Sequence, residues 1–253
     1  MGVAKLILPG IIGGSGLQQL PGLDVLERIE PDTPWGQPSS PVTVGRLRGR
    51  KILFIARHSD AHGIPPHRVN YRANIAALAD LGATGILAFN AVGGISANLG
   101  AGSLVVPDQI IDYTWGREHT YSDSAETSLQ YVDFSQPYDE DVRQALVDAA
   151  RGRHEPVTNG GVYGATQGPR LESAGEILRM ERDGCDIVGM TGMPEAGLAR
   201  EKGLPYACLA LVVNPAAGKS KTPITMEDIA RVMAQRIPVA AAILADTCAA
   251  AVA

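Results

Sequence analysis

Residues 163–199 read YGATQGPRLESAGEILRMERDGCDIVGMTGMPEAGLA, and the order in which glycine, apolar and charged residues alternate here decides the fold. Gly164 to Pro169 holds two glycines and a proline, which is loop chemistry. From Arg170 to Arg182 the apolar residues Leu171, Ala174, Ile177 and Leu178 recur at helical spacing, and Gly184 supplies the usual helix stop. Asp186 to Met190 is a short apolar run of strand type, Thr191-Gly192 a turn, and Met193 to Arg200 a second helix. Loop, helix, strand, turn and helix in succession belong to an α/β sheet, and in such sheets ligands sit at strand ends. The stretch therefore places Glu172 at a helix start and Met190-Thr191 at a strand end.

The rest of the chain repeats the alternation. Ile7–Ile12, Val42–Leu47, Ile52–Ile55, Ile86–Phe89, Leu104–Pro107, Ile110–Tyr113, Val157–Tyr163 and Tyr206–Val213 read as strands. Val69–Leu81, Glu140–Ala150 and Thr225–Cys248 read as helices, the last with a kink at Pro238. Arg48-Gly49-Arg50 joins two strands as a hairpin, and Thr33–Pro41 is a loop. Thr114–Asp139 is polar and aperiodic, and a long irregular segment of that kind is functional or an interface. No repeat or linker divides the chain, so the expectation is one domain, residues 1–253, with a central mixed β-sheet flanked by helices.

Composition narrows the classes of partner. The chain has 253 residues, 45% hydrophobic and 19% charged, with net charge -5. Nothing supplies the basic face that a nucleic acid or an anionic membrane requires. The start of the chain fails as a signal peptide, because the apolar run after Lys5 is broken by Pro9 and Gly10; Gly2 lacks the Ser or Thr of a myristoylation signal. No uninterrupted apolar run approaches the roughly 18 residues of a spanning helix. Cys185, Cys208 and Cys248 lie in apolar or small-residue surroundings and read as buried free thiols, which suits a reducing, cytoplasmic setting.

Four places carry chemistry. Gly13-Gly14-Ser15-Gly16 follows the first strand; a dinucleotide fingerprint would need glycine where Gln19 stands, which leaves a small anion site or a plain strand-to-helix turn. Arg57-His58 follows another strand, placed either for a dianion or for a surface salt bridge. Asn90 to Gly94 forms a second glycine-rich turn. His58, His62 and His67 lack the cysteine or carboxylate spacing of a metal site.

Taken together, IIGGSGL (11–17), RHSDAHGIPPHRVNYRANIAAL (57–78), NAVGGI (90–95), TQGPRLES (166–173) and MTGMPEAGLARE (190–201) resemble the purine nucleoside phosphorylase family, trimeric branch, with the likeness strongest to its 5'-methylthio-nucleoside members. The resemblance spans residues 11 to 218 in the family's order. It implies the nucleoside phosphorylase fold, a homotrimer with sites near subunit boundaries, and no metal or organic cofactor. It also implies phosphorolysis of a purine nucleoside, with inorganic phosphate as co-substrate. Carried over residue by residue, phosphate falls to Ser15, Arg57, His58, Asn90, Ala91 and Thr191, where the family often has Thr or Ser in place of Asn90. Met190 lies against the ribose, Leu171 and Ala216 line the substrate side, and Glu172, Asn214 and His58 carry the catalysis.

The adenine-specific members carry an Asp pair after the last strand; here stand Asn214 and Ala216. An amide can donate to a 6-oxo group and accept from a protonated N7, while Glu172 can accept the N1–H of hypoxanthine. Other roles for the pair are a helix-capping Glu and a turn-forming Asn. Ile224, Met226 and Ile229 offer apolar surface for a 5'-methylthio group or are ordinary core. The expected substrate is S-methyl-5'-thioinosine. A general inosine/guanosine phosphorylase, a methylthioadenosine phosphorylase and a non-catalytic nucleoside sensor are the alternatives. With no metal expected, phosphate-dependent base release should survive prolonged chelation; a loss restored by a divalent ion would show that the histidine segment had been misread.

Overall fold

The structure is a computed structural model that describes residues 6–61, 63–123 and 128–250. An 11-stranded mixed sheet runs through it. The elements are β1 (Pro9–Gly13), β2 (Leu23–Ile29), β3 (Val42–Leu47), β4 (Arg50–Ala56), α1 (Tyr71–Asp80), β5 (Gly85–Gly94), β6 (Leu104–Val106), β7 (Gln109–Asp112), α2 (Glu140–Gly152), β8 (Val157–Asn159), β9 (Val162–Ala165), α3 (Ala174–Arg182), β10 (Ile187–Gly189), α4 (Gly192–Glu201), β11 (Tyr206–Pro215) and α5 (Met226–Ala250). The α/β class and the mixed sheet are as the sequence predicts.

Alternation builds the core. In β5 Leu87 and Phe89 join the apolar layer packed with α2 and α5, whereas Ile86, Ala88 and Val92 join the layer that holds α1 and α4 residues. β11 alternates likewise, with Leu209, Leu211 and Val213 on one face and Cys208, Ala210 and Val212 on the other. Each fully buried Leu, Ile or Val contributes about 1.5–3 kcal/mol, so two such layers hold β5 and β11 rigidly at the centre.

The sheet forks at β5. Along one edge β5 pairs with β11 over nearly its whole length. Along the other edge its first half pairs in parallel with β1, up to Ile12↔Ala88. Its far end pairs antiparallel with β10, at Val188↔Gly93 and Ile187↔Gly94. The C-terminal ends of β1 and β10 therefore run towards each other across residues 89–92, where the ladder is open.

Arg57, immediately after β4, fills that opening. Its backbone N–H donates to Gly13 O (2.9 Å), and its Nη1 donates to Phe89 O (2.9 Å). Its Nε and Nη2 donate to the two carboxylate oxygens of Glu195, each at 2.7 Å. Both side chains are buried, and Tyr206 Oη donates to the same carboxylate at 2.8 Å. Burial opposes the guanidinium charge, but the attraction and hydrogen bonds of Glu195 outweigh it and hold Arg57 above its ordinary pKa. The surface salt bridge considered for Arg57 is instead a fully buried one.

Several boundaries differ from the sequence reading for local reasons. The turn after β1 leads to a strand, β2, whose residues are mostly exposed and so carry no alternating signal. Asn90–Gly94 is the second half of β5 rather than a turn. Val157–Tyr163 splits at Gly160-Gly161 into β8, paired with β6, and β9, paired with β7 and β10. α3 begins at Ala174, not Arg170, because Ser173 caps it with Glu176 in a capping box. Helix α5 continues through Pro238. Among the described residues α5 is, by length and composition, long and apolar enough to cross a membrane, which the broken apolar runs in the sequence did not suggest; Ala240, Ile243, Leu244 and Cys248 on it are buried in the core. The three cysteines are free and buried.

Removing one partner of a buried ion pair leaves an uncompensated charge, at a cost of about 3–5 kcal/mol. Glu195→Ala should therefore lower the unfolding free energy by that amount, and Arg57→Met combined with Glu195→Leu should lose less than Glu195→Ala alone. Denaturant titration of wild type and the two variants checks this; a double variant as unstable as Glu195→Ala, or more so, would contradict a closed pair.

Candidate active site

A cavity of about 370 Å³ opens at the fork. Its floor is the turn after β1 with Ser15, the Arg57-His58 step after β4, and Ala91 to Gly93 of β5. Gly14 cannot be another residue here: a Cβ would lie 2.4 Å from Phe89 O and 2.7 Å from Arg57 Nη1. Met190 and Thr191, beyond the end of β10, form a second wall.

The third wall comes from one loop and one bulged strand. Pro169, Leu171 and Glu172 approach from the segment before α3. The turn sits so close that a Cβ on Gly168, whose φ is +61°, would lie 2.4 Å from Met190 Sδ. Asn214 arrives from β11, which carries a bulge: the register passes from Val212↔Val92 to Asn214↔Gly93, skipping one residue. Bulges re-aim side chains beside functional sites, and this one brings Asn214 onto the cavity with Ala216 and Ala217. Ile224 and Ile229 close the apolar end.

Of the residues singled out in the sequence, Ser15, Arg57, His58, Ala91, Leu171, Glu172, Met190, Thr191, Asn214 and Ala216 all border this cavity. Asn90 does not. It is buried behind Thr191, with Nδ2 donating to Thr191 Oγ1 (2.7 Å) and Oδ1 accepting from the Cys208 thiol (3.1 Å). Burial pushes that thiol's pKa up, so Cys208 remains a protonated donor. Asn90 thus orients Thr191 instead of lining the cavity. Met226 is also absent, being 74% exposed.

Arg57 is less available than a surface arginine would be. Glu195 and Phe89 O occupy three of its N–H groups, which leaves one on each Nη nitrogen for a ligand. His58 Nδ1 lies 2.8 Å from Ile64 O. A carbonyl only accepts, so Nδ1 carries the proton.

Glu172 accepts from Thr166 Oγ1 at 2.7 Å. The capping role belongs to Glu176, whose carboxyl pKa is held down at about 2 by hydrogen bonds from Arg170 and from the Ser173 N–H. Asn214 lies in β11 rather than in a turn, and one of its N–H groups donates to Pro215 O (2.6 Å). The arrangement offers hydroxyl, imidazole and guanidinium donors at one end, a carboxylate and an amide at the other, and apolar surface beside them. Among the described residues no group of three or more His, Cys, Asp or Glu could hold a metal; His62 lies outside them.

Residues 10–249 match the family model described as the phosphorylase superfamily. The chain belongs to the phosphorylase superfamily. A probable S-methyl-5'-thioinosine phosphorylase from Xanthomonas campestris pv. campestris is 54% identical, over 87% of this chain and 88% of its own length. A 6-oxopurine nucleoside phosphorylase from Pyrococcus furiosus is 41% identical, over 89% and 86%. Among solved structures, methylthioadenosine phosphorylase from Schistosoma mansoni in complex with adenine superposes with a TM-score of 0.91 at 34% identity, covering 96% of this chain and 91% of that one. The nucleoside phosphorylase fold is thus shared along almost the whole length.

Within this phosphorylase fold some residues of the site region were not legible in the sequence. Glu195, Tyr206, Cys208, Thr166 and Arg117 all act through others. Glu195 alone left a trace, a carboxylate flanked by Pro194, Ala196 and Gly197 where a solvated helix face would carry more charge.

The two glutamates should separate experimentally. Glu176→Ala should cost about 0.3–1.5 kcal/mol of stability and leave turnover intact. Glu172→Gln should leave the melting temperature nearly unchanged and reduce nucleoside turnover at least tenfold, about 1.4 kcal/mol in transition-state terms. Paired melting and steady-state measurements check this, and loss of turnover in Glu176→Ala alone would reverse the assignment.

Proposed function

We propose that this chain phosphorolyses S-methyl-5'-thioinosine to hypoxanthine and 5-methylthioribose 1-phosphate. It is a pentosyltransferase of the purine nucleoside phosphorylase type, with a purine nucleoside and inorganic phosphate as substrates. The observation that carries the choice of base is Glu172 and Asn214 on one cavity, with an amide where an adenine-binding site would want a carboxylate. The names of the Xanthomonas and Pyrococcus relatives agree with a 6-oxopurine.

Phosphate would sit among Ser15, His58, Thr191 and the two remaining Arg57 N–H groups. Thr191 Oγ1 accepts from Asn90, and its own proton can turn from the neighbouring Tyr163 oxygen to a phosphate oxygen when one is bound. A phosphate oxygen forms a bond to C1' as the C1'–N9 bond breaks, and the electron pair leaves with the purine. The sugar is cationic in the transition state and the phosphate charge stabilises it. The departing purine takes up a proton from solvent at N7, which Asn214 Oδ1 accepts as a hydrogen bond, while the second Asn214 N–H donates to O6 and Glu172 accepts the N1–H. Phosphate is the nucleophile, so no side chain need form a covalent intermediate, and the chemistry calls for no metal or organic cofactor.

Ile224 and Ile229 favour a methylthio group over a 5'-hydroxyl, which would leave a polar group facing apolar wall. A general 6-oxopurine nucleoside phosphorylase is the second reading, since the same base contacts would serve inosine and the Pyrococcus relative bears that name. The whole chain works as one nucleoside phosphorylase domain, in a cytoplasmic homotrimer.

Asn214→Asp exchanges a donor for an acceptor opposite the purine 6-position. It should lower kcat/KM for methylthioinosine and raise methylthioadenosine relative to it, by about 1–3 kcal/mol in the ratio. Glu172 still opposes a bare adenine N1, so the switch is partial. An unmoved ratio would overturn the assignment of the base contacts.

A further inference from the structure

Arg117 sits in the long segment between β7 and α2, whose described residues form no helix or strand, yet it is buried. All of its N–H groups are used, and almost entirely by backbone carbonyls. Nη1 donates to Met190 O (2.8 Å) and Met193 O (2.7 Å). Nη2 donates to Thr166 O (3.1 Å) and Gln167 O (2.8 Å), and Nε donates to Gln167 Oε1 (3.2 Å). Tyr71 Oη lies 3.3 Å from Nη1, and the Tyr71 ring packs against the guanidinium, 5.4 Å from centroid to Cζ. Among the described residues no carboxylate forms an ion pair with it. The charge is compensated by converging carbonyl dipoles instead.

These acceptors belong to the two segments that leave the paired strands β9 and β10: the ladder ends at Ala165↔Gly189, with Thr166 N–H donating to Gly189 O (2.8 Å), and Arg117 carries the tie beyond it. Met190 and Met193 bracket Thr191, on the phosphate side of the cavity. Thr166 and Gln167 begin the loop that ends in Glu172, and Thr166 Oγ1 donates to the Glu172 carboxylate. We propose that Arg117 is a positioning residue that holds the base-side carboxylate and the phosphate-side hydroxyl in register, so that leaving-group and nucleophile contacts are made together. The planar fork is essential to this: lysine keeps the charge but offers a single nitrogen, which cannot reach both pairs of carbonyls. The inference rests on the proposed reaction for its kinetic consequence, and on the geometry alone for its structural one.

The test compares wild type, Arg117→Lys and Gln167→Ala, the last removing the acceptor that Arg117 Nε shares with the Trp115 N–H and leaving the four carbonyl contacts in place. Hydrogen exchange by mass spectrometry should show residues 166–172 and 190–193 opening together in Arg117→Lys, with the central strands still protected. Turnover of methylthioinosine per folded enzyme should fall about 100-fold, as expected for a displacement near 1 Å, while the phosphate KM changes less than about threefold, since either ligand alone still finds its own wall. Gln167→Ala should move both readouts the same way by a smaller factor and serves if Arg117→Lys fails to fold. Faster exchange in one segment only, a lowered melting temperature with unchanged turnover, or a change confined to the phosphate KM would overturn the proposal. A wild type that cleaves no purine nucleoside would sink the reaction assigned above and leave the exchange result to decide the role of Arg117.

Discussion

The buried pair Arg57–Glu195 is the constraint on which the rest depends. A sheet that exchanges one neighbour strand for another leaves backbone carbonyls without ladder partners, and a buried unpaired carbonyl costs roughly 1–3 kcal/mol. Arg57 takes the carbonyl of Phe89, which stands just past the last β1 pairing. It can remain charged there only because Glu195 reaches it from α4 with both oxygens. The same bond ties β4 to α4 across the fork, and so locates Thr191, the residue at the head of α4. The cavity exists because the strand edge is open, and it keeps its shape because an ion pair closes the opening from behind.

From that floor the polarity of the cavity follows. Strand ends deliver donors at one end, from Ser15, His58 and Thr191. The bulge in β11 and the loop before α3 deliver an amide and a carboxylate at the other. The segments that carry Thr191 and Glu172 leave neighbouring strands, β10 and β9, whose pairing ends at Gly189↔Ala165. Beyond that ladder their relative placement rests on side chains, and Arg117 supplies the bonds to both.

Much of this was readable beforehand, in proportion to how local the physics is. Apolar runs closed by glycine, or in β11 by Asn214-Pro215, gave β1, β5, β10 and β11, because a strand buried on both faces needs little else to declare itself. Ser15, Arg57, His58 and Thr191 follow strands directly, so their placement at one end of the sheet came with the strands. What escaped was non-local. The start of α3 slipped by four residues because Leu171 continues a helical spacing that the Ser173 cap overrules. Asn90 read as a turn residue beside glycines, yet β11 keeps it in a strand and Cys208 turns its amide to Thr191. Exposed β2 has no apolar face to betray it. Arg117 looks like a solvated charge, and the apolar neighbours of Glu195 do not name its partner, until the distant segments are in place.

The central claim is that one cavity takes phosphate at the fork and a 6-oxopurine bearing a 5'-methylthioribose at the loops. Its most direct measurement is phosphate-dependent base release by the unmodified protein, as kcat/KM for methylthioinosine, inosine and methylthioadenosine side by side. The account predicts methylthioinosine first, inosine reduced by the mismatch of its 5'-hydroxyl with Ile224 and Ile229, and methylthioadenosine reduced by the unpaired contacts at Glu172 and Asn214. Methylthioadenosine as the preferred substrate, or base release independent of phosphate, would contradict it.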